Sequence, residues 1–167
     1  MRSSLGRFIA AGLILSALAA GRADAANTAT AQFNVTATVL ANCAVSATDM
    51  AFGNYSANSG AALPATSTLS VTCTSGTTYT VALDGGTNAA NVAARSMTDG
   101  SSHNLPYGLY TTNAYTSIWG DGTGGTVTQS GTGNGSAQSL TVHGRIPASQ
   151  FVTAGSYSDR ITVTVTY

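Results

Sequence analysis

The chain has 167 residues, with six Arg and six Asp for a formal net charge of zero and neither Lys nor Glu anywhere. So few charges give no electrostatic footing for nucleic acid or an anionic membrane surface. Thr, Ser, Gly, Asn, Val and Ala dominate, without Lys-, Glu- or Met-rich stretches, which argues against long helices and predicts an all-β protein.

Residues 1–25 have the pattern of an export leader. Arg2 and Arg7 form a basic start, residues 8–20 are a 13-residue apolar core, and Ala23-Asp24-Ala25 supplies a small-x-small site. Together they predict a signal peptide cut after Ala25. Thirteen residues fall short of the ~20 that a membrane-spanning helix needs. The remaining 142 residues, 26–167, fit one domain, and their three Arg against five Asp leave a net charge of −2. In an exported chain the even pair Cys43 and Cys73 predicts one disulfide. It would close a loop of about 31 residues and stabilise by at most about 4 kcal/mol in the chain-entropy picture. A metal site is the weaker reading, because two thiols 30 positions apart with no nearby His make half a ligand set.

Directly behind the leader, residues 29–39 alternate strictly. Ala29, Ala31, Phe33, Val35, Ala37 and Val39 are apolar, and every residue between them is polar. That period of two places one apolar stripe on a β-strand. Eleven residues at about 3.4 Å each reach roughly 37 Å, about twice a usual strand. Such a strand requires a sheet to cover its stripe, its own or a neighbour's.

Residues 41–47 continue the alternation through Cys43 and Val45, and residues 50–55 are a short apolar piece broken by Gly53. Residues 56–64 predict a loop ending at Pro64. The alternating runs 67–73 and 79–83, separated by Thr-Ser-Gly-Thr-Thr, predict a hairpin. Residues 88–104 are polar, with Arg95 and Met97 as their distinct features. Residues 105–110, Leu-Pro-Tyr-Gly-Leu-Tyr, predict an edge or bulged strand because of Pro106 and Gly108. Trp119 is the one tryptophan, and seven of the sixteen residues 120–135 are glycine, which predicts a surface loop. That loop is no phosphate cradle, since neither a Lys-Ser/Thr pair nor a helix follows, and a single Gly-Asp-Gly-Thr-Gly-Gly is poor evidence for calcium. Leu140, Val142, Gly144 and Ile146 mark another strand ended by Pro147, with His143 on its solvent side or rim. The last stripe is Ile161, Val163, Val165 and Tyr167. Strands at this spacing with turns between them predict a β-sandwich.

No catalytic constellation emerges. His103 and His143 are the only histidines, no Gly-x-Ser-x-Gly elbow is present, and Asp84, Asp99 and Asp121, three of the five Asp residues beyond the leader, precede Gly in turn contexts. No enzyme activity, cofactor, metal or small-molecule substrate is expected.

The run LTVHGRIPASQFVTAGSYSDRITVTVTY, with LPYGLY and IWGDG before it, resembles the spore coat protein U domain family, which includes the pilins of archaic chaperone–usher pili. FNVTATVLANCAVSATDMAFGNY and LSVTCTSGTTYTVALDGG fit the same ordered pattern, although His143 stands where an aromatic is more usual. The resemblance implies an incomplete immunoglobulin-like β-sandwich, residues 40–167, completed by a donor strand from another subunit. It implies that residues 26–39 are that donor segment, with Ala31, Phe33, Val35, Ala37 and Val39 facing in. Ile161, Val163, Val165 and Tyr167 would border the acceptor groove and meet a periplasmic chaperone, and Cys43–Cys73 would be the disulfide of the fold. The implied partners are like subunits in a filament, the chaperone and an outer-membrane usher. The implied location is the periplasm and then the cell surface or medium, in attachment or biofilm. The alternative is a stand-alone secreted or coat domain whose N-terminal strand folds into its own sheet. A tip adhesin or sugar-binding module would need an extra binding domain or an aromatic platform, and 142 residues fit only one domain.

Overall fold

The computed structural model describes residues 26–89 and 91–167, so the predicted signal peptide and its cleavage at Ala25 lie outside the described residues. The chain divides into two compact units, Met1–Ala37 and Thr38–Tyr167. The strand predicted over residues 29–39 does not form. Residues 26–42 carry neither strand nor helix, and Phe33, Val35 and Val39 are 86%, 83% and 81% exposed. Alternation supplies a face, but a strand also needs a neighbour to bond its amides and carbonyls.

The second unit is all-β. Its strands are β1 (Cys43–Ala47), β2 (Leu63–Cys73), β3 (Thr78–Leu83), β4 (Arg95–Thr98), β5 (Asn104–Tyr110), β6 (Gln129–Thr132), β7 (Gln138–Ile146) and β8 (Val163–Thr166). A five-stranded sheet runs β1-β2-β7-β5-β4 and a three-stranded sheet runs β6-β3-β8, with every strand pair antiparallel. The inward positions of the large sheet, Leu69, Val71, Val142, Ile146, Leu105, Tyr107 and Leu109, meet Tyr79, Val81 and Leu83 of the small sheet in one core. Trp119 is fully buried and ties the layers together. Its backbone N–H donates to Leu109 O (2.9 Å) and its indole Nε1 donates to Val81 O (3.0 Å).

Three expectations change. Residues 67–73 and 79–83 are not a hairpin: β2 bonds to β1 and β7, and β3 bonds to β6 and β8 in the other sheet. Alternation is the same whether two adjacent strands pair or cross between layers, so the short connection misled. β5 is not an edge strand, because β4 and β7 flank it. Pro106 is tolerated since its register partner is Ser96 of β4, whereas pairing with β7 starts only at Gly108. The polar run 88–104 contains β4, and the glycine-rich stretch contains β6. Pairing with strongly patterned neighbours overrides the weak propensity of both segments.

Gly144 faces inward from β7, and a Cβ there would fall 2.9 Å from Phe52 Cζ and also collide with Met50. The irregular segment between β1 and β2 thus tucks Met50 and Phe52 between the layers over a glycine. Phe52 meets Tyr107 edge-on at 6.2 Å.

Cys43 and Cys73 form the expected disulfide, between residues directly opposite each other in β1 and β2 with Cα atoms 4.1 Å apart. Beyond Cys43, every residue of β1 is exposed. An edge strand that buries so little apolar surface depends on its covalent tie. Replacing both residues, Cys43→Ser with Cys73→Ser, is expected to lower the unfolding free energy by about 2–4 kcal/mol, read from denaturant midpoints. An unchanged midpoint would mean that β1 holds without the bridge.

Candidate functional site

The two sheets are unequal. Five strands face three, and strands lie about 4.8 Å apart, so roughly 10 Å of the large sheet's inner face has no strand opposite it. At the start of β8, one of the two edge strands of the small sheet, lies a groove of about 490 Å³. Its floor is Leu69, Val142, Leu109 and Tyr107 of the large sheet. One lip is Ile161 and Val163, and the other is residues 47–52, with Met50 and Phe52 turned inward. The floor residues are buried at its base, whereas Ile161, Val163, Met50 and Phe52 are only half-buried. The groove is therefore apolar where it is deep and unfinished at its lips, with Asp49, Asp159 and Arg160 also in its lining, and it opens at the start of β8, of which Val163 lines it.

β8 presents its stripe as the alternation requires, with Val163 and Val165 half-buried and Thr164 and Thr166 exposed. Of the four C-terminal residues singled out in the sequence, Ile161 and Val163 reach the groove. Val165 packs on the core, and Tyr167 is 56% exposed with its hydroxyl donating to Asn42 Oδ1 at 3.4 Å. Ala31, Phe33, Val35, Ala37 and Val39 are all exposed.

A polar cluster fixes the segment that leads into β8. Asp159 Oδ1 accepts from the Thr87 N–H (2.9 Å), the Thr87 hydroxyl (3.0 Å), Asn88 Nδ2 (2.9 Å) and the Arg160 N–H (2.8 Å). Its Oδ2 accepts from the Tyr107 hydroxyl at 2.7 Å. Asp84 Oδ1 accepts from the N–H groups of Gly86 (3.0 Å) and Thr162 (2.9 Å). Burial alone would raise the Asp84 carboxyl, but the bonds from Thr162 and Gly86 and the nearby Arg95 charge hold it below the ordinary 3.8. Burial pushes the Tyr107 phenol far up, and its bond to Asp159 adds to that. Tyr107 therefore stays a neutral donor at any physiological pH.

Arg95, 1% exposed, sits beneath this cluster. It donates from Nε to Asp84 O (2.8 Å) and from Nη2 to Trp119 O (2.9 Å) and Leu83 O (3.3 Å). Burial lowers its pKa, opposed by Tyr107, Asp84 and Asp159. Its side chain clamps the end of β3 to the end of Trp119's segment. Nothing in the polar run around Arg95 marks it as buried, and nothing around Asp159 marks it as the hub of this cluster. Met50 and Phe52, by contrast, are apolar residues that the sequence reading left without a role. Asp121 and Asp99 act as local turn caps, accepting from the N–H groups of Thr123 and Ser101 respectively. Among the described residues no cluster of three or more His, Cys or Asp side chains could hold a metal.

The family model described as Spore Coat Protein U domain matches residues 29–164. A similar solved structure is the CsuC-CsuE chaperone-tip adhesion subunit pre-assembly complex from archaic chaperone-usher Csu pili of Acinetobacter baumannii. Identity is 25%, the alignment covers 78% of this chain and 40% of that chain, and the TM-score is 0.60. The chain thus spans less than half the length of the solved relative. No curated protein matches it.

Because the folded-state pKa of Asp84 is depressed, its contribution to stability is fully present above its ordinary value of 3.8 and is lost as pH falls through the lowered value. The thermal midpoint is therefore expected to stay level between about pH 7 and pH 5 and to fall below about pH 4. Asp84→Asn should flatten that acid limb. An identical acid limb in the variant would show that the carboxylate does not anchor Thr162.

Proposed function

The chain belongs to the Spore Coat Protein U domain family, and on that premise we propose that it is a structural pilus subunit, not an enzyme, polymerised by donor-strand exchange. The observation that carries this reading is the unequal sandwich: a groove with an apolar floor lies open at the start of β8, whose outer edge pairs with no strand. An added strand would bond to β8 along its backbone and seat alternate side chains on Leu69, Val142 and Leu109, the β-augmentation mode of recognition.

The occupant is the N-terminal segment of the next subunit. Ala31, Phe33, Val35, Ala37 and Val39 supply the only long alternating stripe among the described residues that is not already part of a sheet. Covering Phe33, Val35 and Val39 contributes roughly 1.5–3 kcal/mol each as an upper estimate. The contact is head-to-tail and does not close on itself, so it propagates a filament. Before assembly, the open groove and the β8 edge would aggregate. A periplasmic chaperone covering Ile161, Val163 and their neighbours solves that problem, and the similar structure is a chaperone–subunit complex. An outer-membrane usher, export through a signal peptide ending at Ala25, and a role in attachment or biofilm complete this reading.

Gel mobility of the secreted protein, unboiled against boiled, tests it. A heat-sensitive ladder is expected, and it should vanish in a chain lacking residues 26–39. Phe33→Asp should leave the subunit folded on its chaperone and cut fibre yield by at least about tenfold, because a buried carboxylate costs several kcal/mol. Normal fibres from that variant would sink the donor-strand assignment. A folded monomer in every lane would favour a self-contained coat domain.

A further inference from the structure

The large sheet has a second distinctive surface, on its outer face and away from the groove. Because Leu109, Val142, Gly144 and Ile146 point inward, Tyr110, His143 and Arg145 point outward. Tyr110 lies across Gly108, where a Cβ would fall 2.5 Å from its hydroxyl oxygen. Tyr115 meets Tyr110 edge-on, with centroids 5.4 Å apart and planes at 85°. The Arg145 guanidinium carbon stands 5.1 Å above the Tyr115 ring.

The loop from Tyr110 to Ile118 holds Tyr115 in this place. The Thr111 N–H donates to Ser117 O (3.1 Å) and the Tyr115 N–H to Thr112 O (3.2 Å), while Tyr115 takes a φ of 56°. That left-handed backbone is unfavourable for a bulky side chain, and the local bonds enforce it. At 5.1 Å from the ring, the Arg145 guanidinium lies within cation–π range. Arg145 is exposed and makes no ion pair among the described residues.

We propose that this face is a binding site for acidic saccharides, with Arg145 receiving a uronate-type carboxylate and the two tyrosines contacting the sugar ring. Arg145 offers two parallel N–H donors to a carboxylate, and the phenols, Thr66 and His143 offer groups for sugar hydroxyls. Nucleic acid is disfavoured, because its binding is carried by many phosphate contacts and this surface presents one cation, enough for a single carboxylate. A peptide is disfavoured because β5 and β7 are interior strands, with no free edge to augment. The site does not rest on the donor-strand reading, since none of its residues lines the groove. In a filament the site would recur on every subunit, so weak single contacts would sum by avidity.

The test is calorimetric titration of the full secreted chain with oligogalacturonate, with its carboxyl-reduced neutral counterpart, and with an acidic peptide of equal charge. Binding of oligogalacturonate is expected at about 1 mM per site, and at least roughly tenfold weaker for both other ligands. Arg145→Gln should weaken it by a similar factor with an unchanged unfolding midpoint, and Arg145→Lys should restore part of it. Equal affinity for the neutral sugar, equal affinity for the peptide, indifference to Arg145→Gln, or no heat at about 10 mM sugar would each overturn the proposal. The ligand comparison on the unmodified chain decides the matter even if a variant misfolds.

Discussion

Five strands packed against three is the constraint on which the rest of this structure depends. A sheet's inner face must be covered, and a three-stranded layer cannot cover a five-stranded one. The shortfall falls beside β8, where Leu69, Val142 and Leu109 form a floor whose lips are only half-buried. Met50 and Phe52 reach in over Gly144 and fill part of the gap, but they come from an irregular segment and add no backbone ladder. What remains has the chemistry of a strand-binding surface: apolar depth, a free edge, and no titratable group on the floor apart from a phenol locked to Asp159.

The rest of the molecule holds that gap at a fixed width. On one side the disulfide staples β1, which has little buried area of its own, to β2. On the other, Asp84 and Asp159 bind the backbone leading into β8, and Arg95 ties the end of β3 to the Trp119 segment. Polar groups do this at the groove's end because they fix direction as well as distance. Apolar contacts alone would let Ile161 and Val163 slide into the space and close it.

Much of this was legible in the residues. The absence of Lys and Glu, the runs of Thr and Val, and the two cysteines pointed to an all-β domain with one disulfide. The alternation in residues 67–73, 79–83, 140–146 and 161–167 located β2, β3, β7 and β8. The stripe of residues 29–39 was visible as a face seeking a sheet, although on its own it forms no strand. β4 and β6 were not visible, since Arg-Ser-Met-Thr and Gln-Ser-Gly-Thr have no apolar alternation and take their conformation from β5 and β3. Nor did the buried Arg95 or the half-buried Asp159 announce themselves, because such a charge in a polar run looks like any surface residue until its carbonyl and hydroxyl partners are assembled around it.

The sequence by itself determined which face of each strand is apolar, because side-chain direction alternates along a strand regardless of what surrounds it. It determined the covalent tie as well, since two cysteines allow a single pairing. Only the tertiary structure decided which strands neighbour one another. The link between residues 73 and 78 serves a hairpin or a crossing between layers equally well, and it makes the crossing. That choice puts β3 and β8 in a narrow second sheet and leaves the groove. It is set by long-range pairing energies between residues as far apart as Leu83 and Val163, which no local period records.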